Sequence, residues 1–392
     1  MTRRTRPVIT AAIAIICTNA AAQQYAITDL GAINAGSQAN KISDSSLAVG
    51  IATNLEQQFS AFTWDGSFVT HPPLAGDTQT EGIDAAGDLA VFASYSLGTL
   101  DARAVLLDSG VPFELDTFLP RGVNATGQVV GERDRAFASG MHTSQAVLWD
   151  KGVLTPLADL GAGVESSAAD INDALWIVGK SFPAESPTPR AALWIDGAVS
   201  DLGTLGGSGA HATAISNTRY VVGMSRTAAG QPHAFRYLLS PAGAVVKRTD
   251  LGVLDLDWSD ARDVNDAGDV VGTSASRAFL YTNNQMLDLN DHIPANSGWR
   301  LTTAAGINNQ GQIVGWGEHG PLGLRAFLLT PAAGCSPADL AEPFGALDFS
   351  DVLAFLVAFG SMDPAADLAP PLGVFDFSDV IAFLTAFAAG CP

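Results

Sequence analysis

A nine-residue segment that recurs seven times constrains this chain more than any other feature. Its copies are Ile42–Gly50, Ile83–Val91, Val123–Gly131, Ile171–Gly179, Ile215–Gly223, Val264–Gly272 and Ile307–Gly315, and VNATGQVVG, VNDAGDVVG and INNQGQIVG are the most regular. Their spacing averages about 44 residues, the period of a propeller blade of four short strands and longer than an ankyrin or leucine-rich repeat. Each copy reads as a β-hairpin. A β-branched residue precedes Asn or Asp, whose side chain can bond to the backbone ahead, and a Gly at positive φ closes the turn. The aliphatic residues after that Gly form the return strand. Ser46, Leu175 and Arg219 stand at the turn Gly position in copies one, four and five, which predicts altered turns there. The terminal Gly fails in copy two, where Phe92 stands.

Two further elements keep register with the hairpins. A DLG tripeptide precedes them at Asp29–Gly31, Asp159–Gly161, Asp201–Gly203 and Asp250–Gly252, with Asp288–Asn290 a variant. A strand of the pattern Ala-Phe-Leu-Trp follows, as in Ala61–Trp64, Ala146–Trp149, Ala191–Trp194, His233–Phe235, Arg277–Tyr281 and Arg325–Leu328. Small Ala beside a large aromatic suits tapered packing between blades, so the Trp residues read as inter-blade core rather than as sugar-stacking platforms.

These motifs resemble the extracellular HAF-repeat family, named for the His-Ala-Phe tripeptide, across roughly residues 25–330. The DLGTLGG signature stands intact at Asp201–Gly207. The resemblance implies a secreted, repeat-built protein and is nearly silent about chemistry. Seven units from Tyr25 to near Thr330 predict an all-β fold, a closed seven-bladed β-propeller, with an open stack of the same repeats as the alternative. Closure removes exposed sheet edges.

Residues 1–22 read as an export signal. Arg3, Arg4 and Arg6 precede the short apolar run Val8–Cys17, and Ala20–Ala22 supplies the small residues of a cleavage site before Gln23. That run is too short to span a bilayer, and no later apolar stretch is long enough. The expected location is therefore extracellular or at the cell surface. Acidic residues outnumber basic ones 40 to 20, a formal charge of −20, so a phosphate backbone would be repelled and nucleic acid is not an expected partner.

After a linker at 331–334 the composition changes. Residues 335–392 contain two near-identical segments offset by 28 positions, Asp339 to Asp367 and Asp348 to Asp376. Each ends in an amphipathic helix, with Val352, Phe355 and Phe359 and then Val380, Phe383 and Phe387 at helical spacing. Ser350 and Ser378 are placed to cap these helices. Cys335 and Cys391 bracket the segment and read as a disulfide in an oxidising compartment, against a metal pair or reactive thiols.

A duplicated acidic loop–helix unit ending in Gly390-Cys391 is similar to the dockerins, small docking modules of secreted assemblies. The resemblance implies a helical, EF-hand-related module. Asp339, Asp348 and Asp351 would fill the first, ninth and twelfth calcium positions, as would Asp367, Asp376 and Asp379 in the second copy. It also implies partner recognition through Phe349 and Ser350 and through Phe377 and Ser378, with a cohesin-like protein or a cell-surface component as partner. This chain departs from the pattern: Ala341 and Pro343, then Ala369 and Pro371, stand where a third and fifth oxygen ligand belong, and each loop is one residue longer. Calcium in these loops and aspartates acting as helix-terminus charges both remain readings of the residues. For Phe349 and Phe377 the favoured reading is a small core.

No catalytic signature stands out. The six histidines show no HExxH spacing, and no GxSxG elbow or phosphate loop occurs in strand-to-helix context. The densest acidic cluster outside the repeat, Asp255, Asp257, Asp260 and Asp263 around Trp258, reads as a solvated loop. The expectation is a secreted non-catalytic binding and display protein, recognising an extracellular ligand such as a polysaccharide. The alternatives are a propeller carbohydrate-active enzyme and a structural envelope protein.

Overall fold

The computed structural model describes residues 25–331 apart from 34–35, 54–57, 75–76, 97–101, 137–141, 162–164, 185 and 256–257. It also describes residues 338, 340–341, 347, 349–369 and 374–389. Residues Tyr25–Ala332 form one compact unit, and the C-terminal helices belong to another.

Seven four-stranded antiparallel sheets make a closed β-propeller. Six blades are continuous in sequence, running 36–71, 77–117, 119–156, 166–201, 206–252 and 259–288. The seventh takes three strands from 299–331 and its outer strand from the start of the unit, where Tyr25–Gly31 pairs antiparallel with Leu324–Pro331. The first DLG therefore belongs to the last blade. The hairpin turns close the ring a second time. Asn309 and Asn308 of blade seven reach Asp44 and Ser43 of blade one at 2.8 and 3.1 Å, across 265 residues of sequence.

The recurring segment is the hairpin between each blade's innermost strand and the next. Asn124, Asn172, Asn265 and Asn308 accept backbone N–H bonds from the turn ahead, for example from Gln128 at 3.1 Å and Gln312 at 2.9 Å. Their Nδ2 groups donate to a carbonyl of the neighbouring blade's turn. The expectation of altered turns is corrected. Ser46, Leu175 and Arg219 adopt φ of 65°, 61° and 72°, beside 81° at Gly127, and their N–H groups close the same turn. A side chain in that region costs about 1 kcal/mol, which the interlocked turns sustain. Copy two is also corrected. Its strands run on to pair Ala85 with Ala90 and Ala86 with Leu89, so the turn is one residue shorter and the equivalent of Ile42 is Ala85, not Ile83.

The terminal Gly of each segment exists for lack of space. Every innermost strand carries a β-bulge one step before the turn, at the shifts Ala39/Lys41, Gly82/Asp84, Pro120/Gly122, Ala168/Asp170, Ala212/Ala214, Ala261/Asp263 and Ala304/Gly306. A Cβ on Gly50, Gly131, Gly179, Gly223, Gly272 or Gly315 would lie 2.0–2.2 Å from a carbonyl oxygen just ahead of the bulge. In blade two Phe92 faces Gly82, so the small residue has moved to the opposing strand. A bulge re-aims the residue that follows it, and that residue decides what lines the channel.

The other two motifs are partners. The residue before Ala-Phe pairs with the Asp of DLG across the two outer strands: His233 with Asp250 at 2.8 Å, Arg277 with Asp288 at 2.8 Å, Arg325 with Asp29 at 3.7 Å and Arg190 with Asp201 at 3.8 Å. The same Asp accepts the N–H two residues on, closing the turn. The intervening Leu30, Leu202, Leu251 and Leu289 are buried between blades, as are Phe62, Phe235, Phe279 and Phe327. Trp194 is buried with its indole N–H on Ala158 O at 2.7 Å, whereas Trp258 is exposed.

In the C-terminal unit, α1 (Phe349–Ser361) and α2 (Phe377–Ala389) pack around Phe355 and Phe383, whose rings stack at 4.2 Å.

Candidate functional site

The residues re-aimed by the bulges are Lys41, Asp84, Gly122, Asp170, Ala214, Asp263 and Gly306, one from each blade. The even-numbered blades supply aspartates, the blades after them supply Gly or Ala, and blade one supplies the cation that fills the odd place. Lys41 Nζ lies 2.9 Å from Asp263, 3.7 Å from Asp170 and 3.8 Å from Asp84. Each carboxylate also staples its blade to the next: Val123 N–H donates to Asp84 at 3.0 Å, Ile215 N–H to Asp170 at 2.9 Å and Ile307 N–H to Asp263 at 2.8 Å. The remaining oxygens of Asp84 and Asp170 accept Ala85 and Ile171 N–H. Gly122 and Gly306 keep the strands close, since a Cβ on either would lie 2.9 Å from a neighbouring Cα, that of Asp170 or Lys41.

Burial dominates the electrostatics. Burial alone would lower the Lys41 ammonium, but Asp170, Asp263 and Asp84 outweigh it and hold its pKa well above the lysine norm. Burial pushes Asp170 up, and raises Asp84 to about 7 against the help of Lys41. The folded protein therefore keeps a proton on Asp84 that the unfolded chain has released above about pH 4. The native state binds more protons between about pH 4 and 7, so stability falls as pH rises through that window. The melting temperature is expected to be higher at pH 5 than at pH 7.5, and Asp84→Asn is expected to shrink that difference. A difference of equal size in the variant would move the titration elsewhere.

Lys41, Asp84 and Asp170 were missed in the sequence because the position before each hairpin varies in type. Part of the signal was there: two of seven copies carry a carboxylate at that place, Asp170 and Asp263, and one carries one of only four lysines in the chain, while Asp84 takes that place only in the corrected register of copy two. The acidic cluster read as a solvated loop separates. Asp263 lies in the channel set and Asp255 pairs with Arg277. Asp260 sits 3.8 Å from His211 and 3.7 Å from Arg262, and Asp257 is outside the described residues.

Farther along the innermost strands, away from the hairpin mouth, a second polar region forms. Arg121 binds Glu132 at 2.8 Å and holds its carboxyl below the usual range against burial. Lys180 meets Glu165 at 3.1 Å. A cavity of about 320 Å³ opens between blades three, four and five, with Arg121, Glu132, Ser167, Lys180, His211 and Thr213 on its wall. Burial lowers His211, which is neutral at pH 7.

In the helical unit, Asp351 and Asp379 are buried. Asp351 accepts Leu340 and Ala341 N–H at 2.7 and 2.8 Å, and Asp379 accepts Leu368 and Ala369 N–H at 2.8 and 2.9 Å. Asp379 also takes Asp376 N–H at 3.0 Å while Asp376 accepts Ser378 N–H at 2.7 Å, a reciprocal helix cap. The side chain that caps α2 is thus Asp376, and Ser378 donates to it, which corrects the expected Ser378 cap. Hydrogen bonds from the backbone, that of Asp376 first, hold Asp379 below the usual carboxylate range. Asp367 is half-buried. Asp339, Asp348, Cys335 and Cys391 lie outside the described residues. Among the described residues, the twelfth-position carboxylates bind their own loops, and Ala341 and Ala369 offer no side-chain oxygen to a calcium ion. Among the described residues no group of three His, Cys, Asp or Glu side chains is arranged to hold a metal ion.

Phe349 and Phe377 are each 72% exposed, which overturns the expected core placement. Leu353 and Leu356 of α1 and Ile381 and Leu384 of α2 are exposed too. At i, i+4 and i+7 they extend each Phe into an apolar stripe. Ser350 is half-buried beside the first.

No protein-family model matches the chain, and no curated protein matches it. Among solved structures, it is similar to a gluconolactonase from Xanthomonas campestris at 14% identity and a TM-score of 0.36, over 80% of this chain and 92% of that one. A puromycin-hydrolyzing peptidase from Mycobacterium tuberculosis matches at 14% and 0.46, over 76% and 53%. The Aleuria aurantia lectin matches at 11% and 0.33, over 54% and 78%. Likenesses this distant carry no argument about chemistry in this chain.

Proposed function

We propose that the chain is a secreted, non-catalytic binding and display protein. Its propeller recognises an extracellular ligand, and its two helices dock it, in the manner of a dockerin, on a partner protein or the cell surface. The observation that carries this reading is the matched exposure of Phe349 and Phe377 at the starts of duplicated helices. Solvated Phe side chains at equivalent positions, each continued by two aliphatic residues, are what a partner's apolar groove would cover. The signal-like residues 1–22 support export.

The carbohydrate-active-enzyme alternative draws on Lys41, Asp84, Asp170 and Asp263 meeting from four blades, with Asp84 held near 7 as a general acid would be. The occupancy of those carboxylates weighs against it, because their oxygens already hold backbone N–H groups or Lys41. The docking surface needs no calcium in this proposal. With the full-length mature protein as bait against the producing organism's secreted and envelope fractions, one partner is expected to be retained equally with calcium and with chelator. Retention with calcium alone would show working metal loops and contradict that independence; retention in neither arm would contradict docking.

A further inference from the structure

We infer that the cavity between blades three, four and five binds a monosaccharide-sized ligand carrying one carboxylate, a uronate, through Lys180 and Arg121. The inference rests on the reading of the propeller as a ligand-binding domain and gives that ligand a chemical class.

The cavity holds about 320 Å³, at the lower end of the range for small-molecule sites, so it admits one hydroxylated ring rather than an extended chain. Its wall is unlike the rest of the molecule. In a chain of net charge −20, it carries two permanent cations, Arg121 and Lys180, against one carboxylate, Glu132. Glu132 is already matched by Arg121 at 2.8 Å, which leaves Lys180 in excess. The pairing of Lys180 with Glu165 does not consume that charge. Both side chains are more than a third exposed, at 37% and 38%, and ion pairs of that kind contribute about 0–1 kcal/mol. Glu165 is not part of the cavity wall, so a ligand carboxylate can draw Lys180 inward at little cost.

The uncharged groups suit the rest of a sugar acid. Ser167 and the carboxylate of Glu132 can accept ligand hydroxyls. Thr213 donates its own proton to Ala261 O at 2.7 Å, so toward a ligand it acts as an acceptor. His211 stands on the same wall with Asp260 3.8 Å behind its Nε2. The charges facing it are Asp260, Lys180 and Arg262, and the two cations add to burial in keeping it neutral. A bound carboxylate would offset Lys180 and let His211 take up a proton as a further donor.

The test is titration of the full-length protein with glucuronate, followed by calorimetry and by the NMR pH titration of His211, with glucose and acetate as parallel arms. Glucuronate is expected to bind at least about tenfold more tightly than either, to raise the His211 pKa, and to lose about tenfold in affinity in Lys180→Gln. Lys180 is solvent-facing, so that variant is expected to keep the wild-type melting temperature. Equal binding of glucose and glucuronate would overturn the carboxylate assignment while leaving a sugar-binding propeller. Absence of glucuronate binding, or affinity unchanged by Lys180→Gln, would overturn the site. Partner capture by the helices is independent of all these outcomes.

Discussion

Replacing Lys41 by Met is expected to lower the stability of the propeller by about 3 kcal/mol, the lower end of the range for breaking a buried ion pair. In a domain of this size that is a fall in melting temperature of about 5 °C. Met preserves the length of the side chain and removes the charge, leaving Asp84, Asp170 and Asp263 without the cation that lies 2.9–3.8 Å from them. The lower end applies because the Lys41 side chain keeps 20% of its exposure. The loss should shrink at pH 5, where Asp84 is protonated and repulsion eases. Adding Asp263→Asn should recover part of it, because neighbours in one network are not additive. Unchanged melting, or a deficit that grows in acid, would show that Lys41 does not balance these carboxylates.

Gly179→Ala is expected to cost about 3 kcal/mol, the upper end of the usual range for overpacking. Its Cβ would lie 2.1 Å from the Ser167 carbonyl oxygen. Backbone meets backbone there, so no side chain can turn aside, and either the strand pair separates or the bulge that presents Asp170 is lost. Gly152→Ala is the matched comparison. Its φ of +87° is strained for Ala, but nothing lies within 4 Å of the added carbon, so the cost should stay near 1 kcal/mol. Thermal unfolding of the two variants separates the mechanisms. Equal losses would mean that backbone conformation, not space, selects these glycines.

The blade count, the hairpins and ring closure were legible because the repeat carries them in residue types with few physical substitutes. Legibility fell where the same backbone is held by an unexpected residue. Leu175 and Arg219 keep a left-handed turn because the side chains of Asn172 and Ser216 bond to the backbone across it. Phe92 looked like a failed glycine because its compensation, Gly82, lies on the opposing strand. The channel charges were hidden for a related reason. One bulge presents Lys, Asp, Ala or Gly depending on the blade, so the common feature is a direction and not a residue type. His233 and Asp250 gave the opposite lesson, since two separately recurring motifs proved to be the halves of one ion pair. In the helices, the apolar Phe349 suits a small core in sequence, yet it is exposed. Phe355 and Phe359 already fill that face, so Phe349 turns to solvent.

The central claim is that the matched helix stripes are the working surface of the C-terminal unit. The most direct test compares partner capture by the full-length wild type and by Phe349→Ser/Phe377→Ser at equal loading. Both side chains are 72% exposed, so the substitutions should change stability by no more than about 0.5 kcal/mol each. Capture is expected to fall at least tenfold, roughly the effect of losing aromatic anchors of about 1 kcal/mol or more each. Undiminished capture by the folded double variant would contradict the claim.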